Sequence, residues 1–242
     1  MEQWTDRTRL LLGDAGMERL QNARAAVLGL GGVGGAAAEA LCRAGVGHLL
    51  LVDHDTVDET NLNRQLLATR DQLGRSKCQA AAARFGQINP ALDLCCAEEF
   101  YLPENSDFLY DYRPDFIIDC IDTVTAKLDL AQQCARRGIA LYSCMGTGNR
   151  MDPSQLRCGD IADTAGCGCP LARVMRRELR RRGVPGLAVV YSLEPPVQGI
   201  CAGGEEHGRH SPGSGPFVPP AAGFLLASAA VRGFLNSPQS SN

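Results

Sequence analysis

One stretch constrains this chain more than any other: Ala25 to Asp53, reading AAVLGLGGVGGAAAEALCRAGVGHLLLVD. The apolar run Ala25 to Leu28 reads as a short buried strand. It meets Gly29, Gly31, Gly32 and Gly34, after which an alanine-rich helix spans about Gly35 to Arg43. A second apolar strand, Leu49 to Val52, ends in Asp53. Glycines permit a tight turn and let backbone approach a ligand, and the helix start offers unpaired N–H groups at its positive dipole end. An acid closing the second strand can accept hydrogen bonds from ribose hydroxyls. A glycine pattern alone is weak, but strand, turn, helix, strand and acid in this order predict a nucleotide site.

The chain around this unit repeats its logic. Thr5 to Leu20 reads as two short helices interrupted by Gly13 and Gly16, with Arg7 and Arg9 on a solvated face. The loop HDTVDETNLNRQ after Asp53 belongs at the carboxyl edge of a parallel sheet, the ligand side of such folds. Asn61, Asn63, Arg64 and Gln65 lie in it, and a guanidinium there suits a phosphate. Ser76 to Ile88 reads as a helix with Lys77 at its start, where the dipole disfavours a cation. That violation hints at a bound anion facing Lys77; a solvated lysine is the blander alternative. Further strands are expected at Leu92 to Cys95, Phe116 to Cys120 and Ile139 to Cys144, with helices at Pro103 to Tyr110 and from Thr123, as cap, to Arg137. Asp119 and Asp122 then both fall at the carboxyl edge, where one could hold a magnesium ion and either could merely cap a helix. Strand–helix repetition of this kind predicts an α/β doubly wound, Rossmann-like, mostly parallel sheet.

From Asp152 the texture changes to an α+β extension. Strands are expected at Gln155 to Cys158 and Leu187 to Ser192, and a helix within Cys167 to Arg182. On that helix Leu171, Val174, Met175 and Leu179 form an apolar stripe, opposite Arg173, Arg176, Arg177 and Arg180, with Arg181 and Arg182 beyond. An arginine face with one nearby acid, Glu178, is either solvated surface or a contact for a phosphate backbone. Glu194 to Pro216 has no periodicity and reads as a mobile loop, whereas Pro219 to Leu235 reads as a buried apolar helix.

Composition sets the outer limits. The 242 residues, 45% hydrophobic and 21% charged, are those of an ordinary globule able to bury a core. A net charge of −3 argues against a generally basic nucleic-acid coat. The charged N-terminus lacks a signal core and no run approaches the uncharged length of a membrane span, so a cytoplasmic protein without membrane contact is expected. Eleven cysteines then read as reduced thiols. Cys42, Cys78, Cys120, Cys134 and Cys144 fit small core hydrophobes. Cys167 and Cys169 form a CxC pair with Cys158, Cys201, His207 and His210 scattered, which is not zinc-ligand spacing, so no zinc is expected. Cys169, before Pro170 at a helix start, reads as a capping thiol, with a lowered pKa as the sharper alternative.

A redox dinucleotide enzyme has no evident use for Arg64 and Lys77 beside the phosphates. Transfer of AMP from ATP to a carboxylate does, because charge builds on the α-phosphate as pyrophosphate leaves. GLGGVG, LLLVDHDTVDETNLNRQ, GRSKCQAAAARFGQINP and FIIDCIDTVTAK together resemble the adenylating domain shared by ubiquitin-activating enzymes and their thiamine- and molybdopterin-pathway relatives, over Arg7 to Gly148. That resemblance implies ATP and magnesium as cofactors. It implies that Asp53 holds the ribose, that Arg64 and Lys77 bind phosphates, and that Asp122 binds magnesium. Gly29, Gly31, Gly32, Gly34, Asp55 and Asn61 complete the implied nucleotide site. Arg7 matches an arginine that in relatives reaches the ATP of the partner subunit of a homodimer.

Within that superfamily, SCMGTGNRMDP, DIADTAGCGCPLARVMRRELRRRG and HSPGSGPFVPPAAGFLLASAAV resemble the tRNA threonylcarbamoyladenosine dehydratases, over nearly the whole chain. The implied activity is adenylation of the threonylcarbamoyl carboxylate on tRNA, followed by cyclisation with loss of AMP. Arg173, Arg176, Arg177, Arg180 and Arg181 would hold tRNA phosphates. The resemblance also brings a monovalent cation and sulfur-relay partner proteins into view. It divides the chain into an ATP-binding adenylating domain at 1–150, an extension at 151–235 packed on it, and a disordered tail at 236–242. Two rivals remain: adenylation of the C-terminal carboxylate of a small ubiquitin-like sulfur carrier, and a non-catalytic nucleotide-binding redox or metal sensor using the cysteines.

Overall fold

The structure, a computed structural model, describes residues 4–197 and 212–238. Its strands are β1 (Arg24–Leu28), β2 (His48–Val52), β3 (Asp93–Ala97), β4 (Phe116–Asp119), β5 (Ala140–Cys144), β6 (Leu156–Asp160) and β7 (Ala188–Ser192). They form one seven-stranded sheet in the order β3-β2-β1-β4-β5-β7-β6. All neighbours run parallel except β6, which closes the edge antiparallel to β7. Chain order reverses at β1, whose neighbours are β2 and β4, so a crevice opens at their carboxyl ends. The expected doubly wound α/β fold is the observed one.

Helices cover both faces. On one face lie α1 (Asp6–Gln21), α2 (Gly34–Ala44), α3 (Lys77–Ile88) and α7 (Val218–Asn236). On the other lie α4 (Asp107–Asp111), α5 (Val124–Arg137) and α6 (Pro170–Arg181). Central strands β1 and β4 are buried along nearly their full length, which is why they read as unbroken apolar runs. Helix α1 breaks at Gly13, whose φ of +70° suits glycine, in keeping with two short helices.

The extension joins this framework: β6 and β7 continue the sheet and α7 lies against α2. Gly223 makes the α2–α7 approach possible, because a Cβ there would run into Val33 O and Ala36. The expectation that no stretch reaches membrane-spanning length needs correction. Helix α7, 19 residues with mean hydropathy 1.4, is long and apolar enough by composition. Its Val218, Ala222, Leu226, Ala227 and Ala230 are spent on the sheet core instead. The expected tail begins with Asn236 inside α7 and Ser237 bound by Arg19, at 2.8 Å to its carbonyl; residues 239–242 lie outside the described residues. Of the expected mobile loop at 194–216, residues 198–211 likewise lie outside them.

Candidate functional site

The crevice at the ends of β1, β2 and β4 is a solvent-open cleft of about 230 Å³. Its floor is the glycine turn. Gly29 has φ +85°, and a Cβ there would meet Cys120 O at 2.8 Å, so the end of β4 sits directly on the turn. Gly34 opens α2 with its α-carbon against Gly29 O, where a side chain has no room. Gly31 faces the cleft itself. Gly32 points the other way, toward Pro219 and the Arg64 side chain.

Asp53 ends β2 as the sequence required, but it does more than face a ligand. Its Oδ2 accepts from Leu30 N at 2.5 Å and its Oδ1 from Asp55 N at 2.8 Å. The carboxylate therefore holds the glycine turn and the following loop in one geometry. Lys77, buried at the start of α3, donates from Nζ to Asp55 Oδ2 at 2.7 Å and lies 3.9 Å from Asp53 Oδ1. In this structure Lys77 thus faces the protein's own carboxylates. Asp53, His54 and Asp55 cluster closely enough to suggest a cation site. Backbone N–H groups and Lys77 already engage both carboxylates, so the cluster's charge is partly offset from within.

The two acids after β4 separate cleanly. Asp119 is fully buried and bonded to Lys127 Nζ at 2.8 Å, Ser143 Oγ at 2.6 Å and Ile121 N at 3.1 Å. Its counter-charge is Lys127, and through Ile121 N it braces the turn that presents Asp122. Asp122 is exposed on the cleft wall and receives a bond from Thr123 Oγ1 at 3.3 Å. Thr123 occupies the cap position of α5, yet its hydroxyl turns to Asp122 instead of capping.

Asn61 and Arg64 do not line the cleft. Asn61 Oδ1 accepts from Asp58 N at 3.2 Å in a local capping box, and the Arg64 guanidinium folds back on Thr60 O at 2.8 Å and Asn63 Oδ1 at 2.9 Å. The Arg64 side chain packs against Gly32, on the glycine turn. Arg7 is exposed on α1, and no described residue of α1 lines the cleft.

The reading from residues missed the opposite wall: Glu99, Phe100 and Tyr101, with His54 and Ile121. Phe100 meets the His54 ring edge-on at 4.7 Å. The Tyr101 hydroxyl donates to Asp129 at 2.9 Å, and burial with the Tyr110 contact pushes it well above the usual phenol range. Tyr101 thus offers the cleft a fixed aromatic body, suited to a planar base. The signal was available, since these residues follow β3 and the carboxyl-edge rule applies to β3 as to β2 and β4.

The arginine face is less open than its pattern implied. Arg176 is half-buried and donates to Thr164 Oγ1 at 2.8 Å, while Arg177 and Arg181 pair with Glu178 at 3.0 and 3.1 Å. Arg173 and Arg180 are exposed, without a partner among the described residues. Cys169 is a buried cap whose Sγ accepts from Ala172 N at 3.4 Å. Burial pushes the core thiols up, Cys42 to about 11 and Cys134 and Cys144 to about 12. Cys120, on the cleft wall, is also held well above the usual thiol value by burial. Cys201, His207 and His210 lie outside the described residues.

Comparison with known proteins places these features. Residues 5–203 match the ThiF family. The chain is 39% identical over 239 residues to tRNA threonylcarbamoyladenosine dehydratase of Bacillus subtilis (strain 168), covering 95% of this chain and 93% of that protein. It is 35% identical over 204 residues to the enzyme of the same name from Escherichia coli (strain K12), covering 80% and 75%. The crystal structure of the E. coli enzyme, TcdA, in complex with ATP superposes with a TM-score of 0.85 at 33% identity, over 95% of this chain and 93% of that one. The chain belongs to the ThiF family, among the tRNA threonylcarbamoyladenosine dehydratases.

Proposed function

We propose that this protein is an ATP-dependent enzyme that adenylates the threonylcarbamoyl carboxylate of threonylcarbamoyladenosine in tRNA and then cyclises it. The observation that carries the reading is the cleft at the β1 reversal, where Asp53, Lys77 and Asp122 converge beneath an aromatic wall. The family relation supplies the substrate, and the similarity to an ATP-bound relative supports ATP as the nucleotide.

In this reading the base lies against Tyr101 and Phe100, and Asp53 accepts from the ribose hydroxyls with its remaining lone pairs. Incoming phosphates compete with Asp55 for Lys77, and Arg64 swings around the glycine turn to join it. A carboxylate oxygen of the substrate bonds to the α-phosphorus as the bond to the pyrophosphate oxygen breaks. Lys77 and Arg64 stabilise the charge that develops. An internal nucleophile of the threonylcarbamoyl group then attacks the activated carbonyl carbon and AMP leaves, so the nucleoside loses one water overall. No protein nucleophile is required, in keeping with a Cys120 thiol that burial keeps protonated.

Magnesium fits the donor set. Asp122 presents an exposed carboxylate on the cleft wall, and a hard cation satisfied by one carboxylate plus phosphate oxygens suits that position. When bound, it would neutralise phosphate charge. Arg7 shares α1 with the strongly exposed Leu10 and Leu11. A cytoplasmic homodimer that covers those leucines and brings Arg7 to the partner's cleft accounts for both features. Arg173 and Arg180 are the arginines best placed for tRNA phosphates.

The test measures AMP and pyrophosphate from purified protein, ATP and magnesium with unmodified or threonylcarbamoyl-modified tRNA, reading nucleoside mass in parallel. The expected result is AMP with the modified tRNA only, with loss of one water. Pyrophosphate release that depends on a ubiquitin-like carrier and not on tRNA would replace this reading.

A further inference from the structure

Among the described residues, the buried side-chain polar atoms without a hydrogen-bond partner are Tyr112 Oη, Asn149 Oδ1 and Arg150 Nε. Two of them are neighbours in sequence, and Asn149 is also one of the two non-glycine residues with positive φ, at +57°. Arg150 is 4% exposed. Its guanidinium donates to Gly146 O and, at 3.4 Å, to Cys167 O, and no carboxylate among the described residues pairs with it. A buried cation resting on carbonyl dipoles alone, beside an orphaned acceptor, is costly. Each unsatisfied buried polar group asks for an explanation, and a ligand that uses the group is one.

The position of this loop supports that explanation. Residues 146–150 follow β5, which pairs with β4, and β4 leads into Asp122. The loop therefore flanks the cleft on the side away from Tyr101. A strap at 212–215 lies over it. Asn149 N donates to Gly213 O at 2.7 Å, and Asn63 Nδ2 donates to Ser214 O at 2.9 Å. The strap thus ties the loop bearing Arg150 to the loop bearing Arg64, its neighbour in sequence to Asn63.

We propose that the 146–150 loop is the binding site for the N-carbamoyl amino acid end of the substrate, with Arg150 facing its carboxylate and Asn149 Oδ1 accepting from the adjacent ureido N–H. The complementarity is specific. A cationic donor next to a lone acceptor matches an anionic acceptor next to a lone donor, which is the arrangement in an N-carbamoyl α-amino acid. The identity of the ligand rests on the function proposed above; the existence of the site does not. A peptide C-terminus carries a similar pair of groups, and the tRNA-borne ligand is favoured by the family relation.

The experiment uses the full chain with saturating α,β-methylene-ATP and calorimetric titration of N-carbamoyl-L-threonine, alongside turnover of modified tRNA. Asn149→Gly is the central variant, because glycine keeps the left-handed backbone while deleting the acceptor. Loss of one partner of a buried hydrogen bond should weaken N-carbamoyl-L-threonine binding, and raise KM for modified tRNA, by about tenfold, with ATP-analogue affinity unchanged. Arg150→Gln should weaken both more, and Arg150→Lys should recover part of the loss. If Arg150→Gln fails to fold, Asn149→Gly decides alone. Unchanged ligand affinity and KM in Asn149→Gly overturn the site, as does failure of the wild type to bind N-carbamoyl-L-threonine. A glycylglycine peptide that binds more tightly overturns the ligand assignment. Binding of N-carbamoyl-L-threonine, lost in the variants, without turnover of modified tRNA would uphold the site and reject the proposed reaction.

Discussion

The two flanks of the cleft are built on opposite principles. On the flank of β1 and β2, the cleft's charged groups are already engaged: Asp53 accepts from two backbone N–H groups, and Lys77 is paired with Asp55. Beneath β4, Asp119 and Lys127 form a fully buried pair. On the flank of β5, Asn149 and Arg150 keep orphaned atoms in a left-handed turn. The contrast teaches that a site can be preorganised in one half and deliberately incomplete in the other. A satisfied flank receives its ligand with little rearrangement, whereas an unsatisfied one gains most when its ligand arrives.

The largest expected effect tests the satisfied flank at its centre. Asp53→Ala removes the proposed ribose acceptor and both backbone bonds, so ATP affinity should fall by about a thousandfold or more and thermal stability with it. Equilibrium dialysis showing affinity within a few-fold of wild type would remove Asp53 from the site. Next comes Asp122→Ala, which deletes an exposed side chain that braces nothing. Turnover should fall by about 10²–10³ while the melting temperature stays put, a loss typical of removing charge stabilisation from the reacting phosphate. Normal magnesium-dependent turnover would count against the assigned metal position.

A smaller effect separates free from paired arginines on α6. Replacing Arg173 and Arg180 with Glu should weaken tRNA binding by about tenfold at low salt, with the difference shrinking as salt rises. The same change at Arg177 and Arg181, which pair with Glu178, should cost less; equal losses, or none, would show that the pairing does not govern the surface. The smallest effect concerns Glu39 on α2. Burial raises its pKa, but hydrogen bonds from Arg84 and Arg43 outweigh burial and hold it below the ordinary value. Its contribution is therefore present above the unfolded value, about 4.3, and is lost as pH falls through the lower folded value. Glu39→Gln should cost about 1–2 kcal/mol at neutral pH, with the difference from wild type closing in acid. A constant difference across that range would show that the carboxylate's charge is not what holds Arg84.

The satisfied flank was legible in the sequence because its signals are local. Glycines, an alanine helix and an acid closing a strand each carry a conformational reason within a few residues, and the fold followed from repeating that unit. What escaped was assembled across distance. Lys127 carries no signal of its own in the sequence, yet it is fully buried against Asp119, eight residues before it. Arg176 matched a surface stripe until Thr164 claimed it. Phe100 and Tyr101 follow β3, an edge strand with exposed positions and thus a weak apolar signal. Arg150 looked like any cation in a loop, because an orphaned atom is visible only after folding shows what fails to reach it.

Helix α7 has a consequence for how the protein is made. The nucleotide turn leads into α2, and the outer side of α2 is closed by α7, with Gly223 set against Val33 and Ala36. The segment that first announces the nucleotide site is therefore finished by one that leaves the ribosome long after it. During synthesis the glycine turn waits with an apolar helix uncovered until residues 218–236 emerge, a period in which nascent chains are exposed to aggregation. A premature stop ahead of α7 would leave the glycine, lysine and aspartate residues of the cleft encoded, translated and unable to hold ATP.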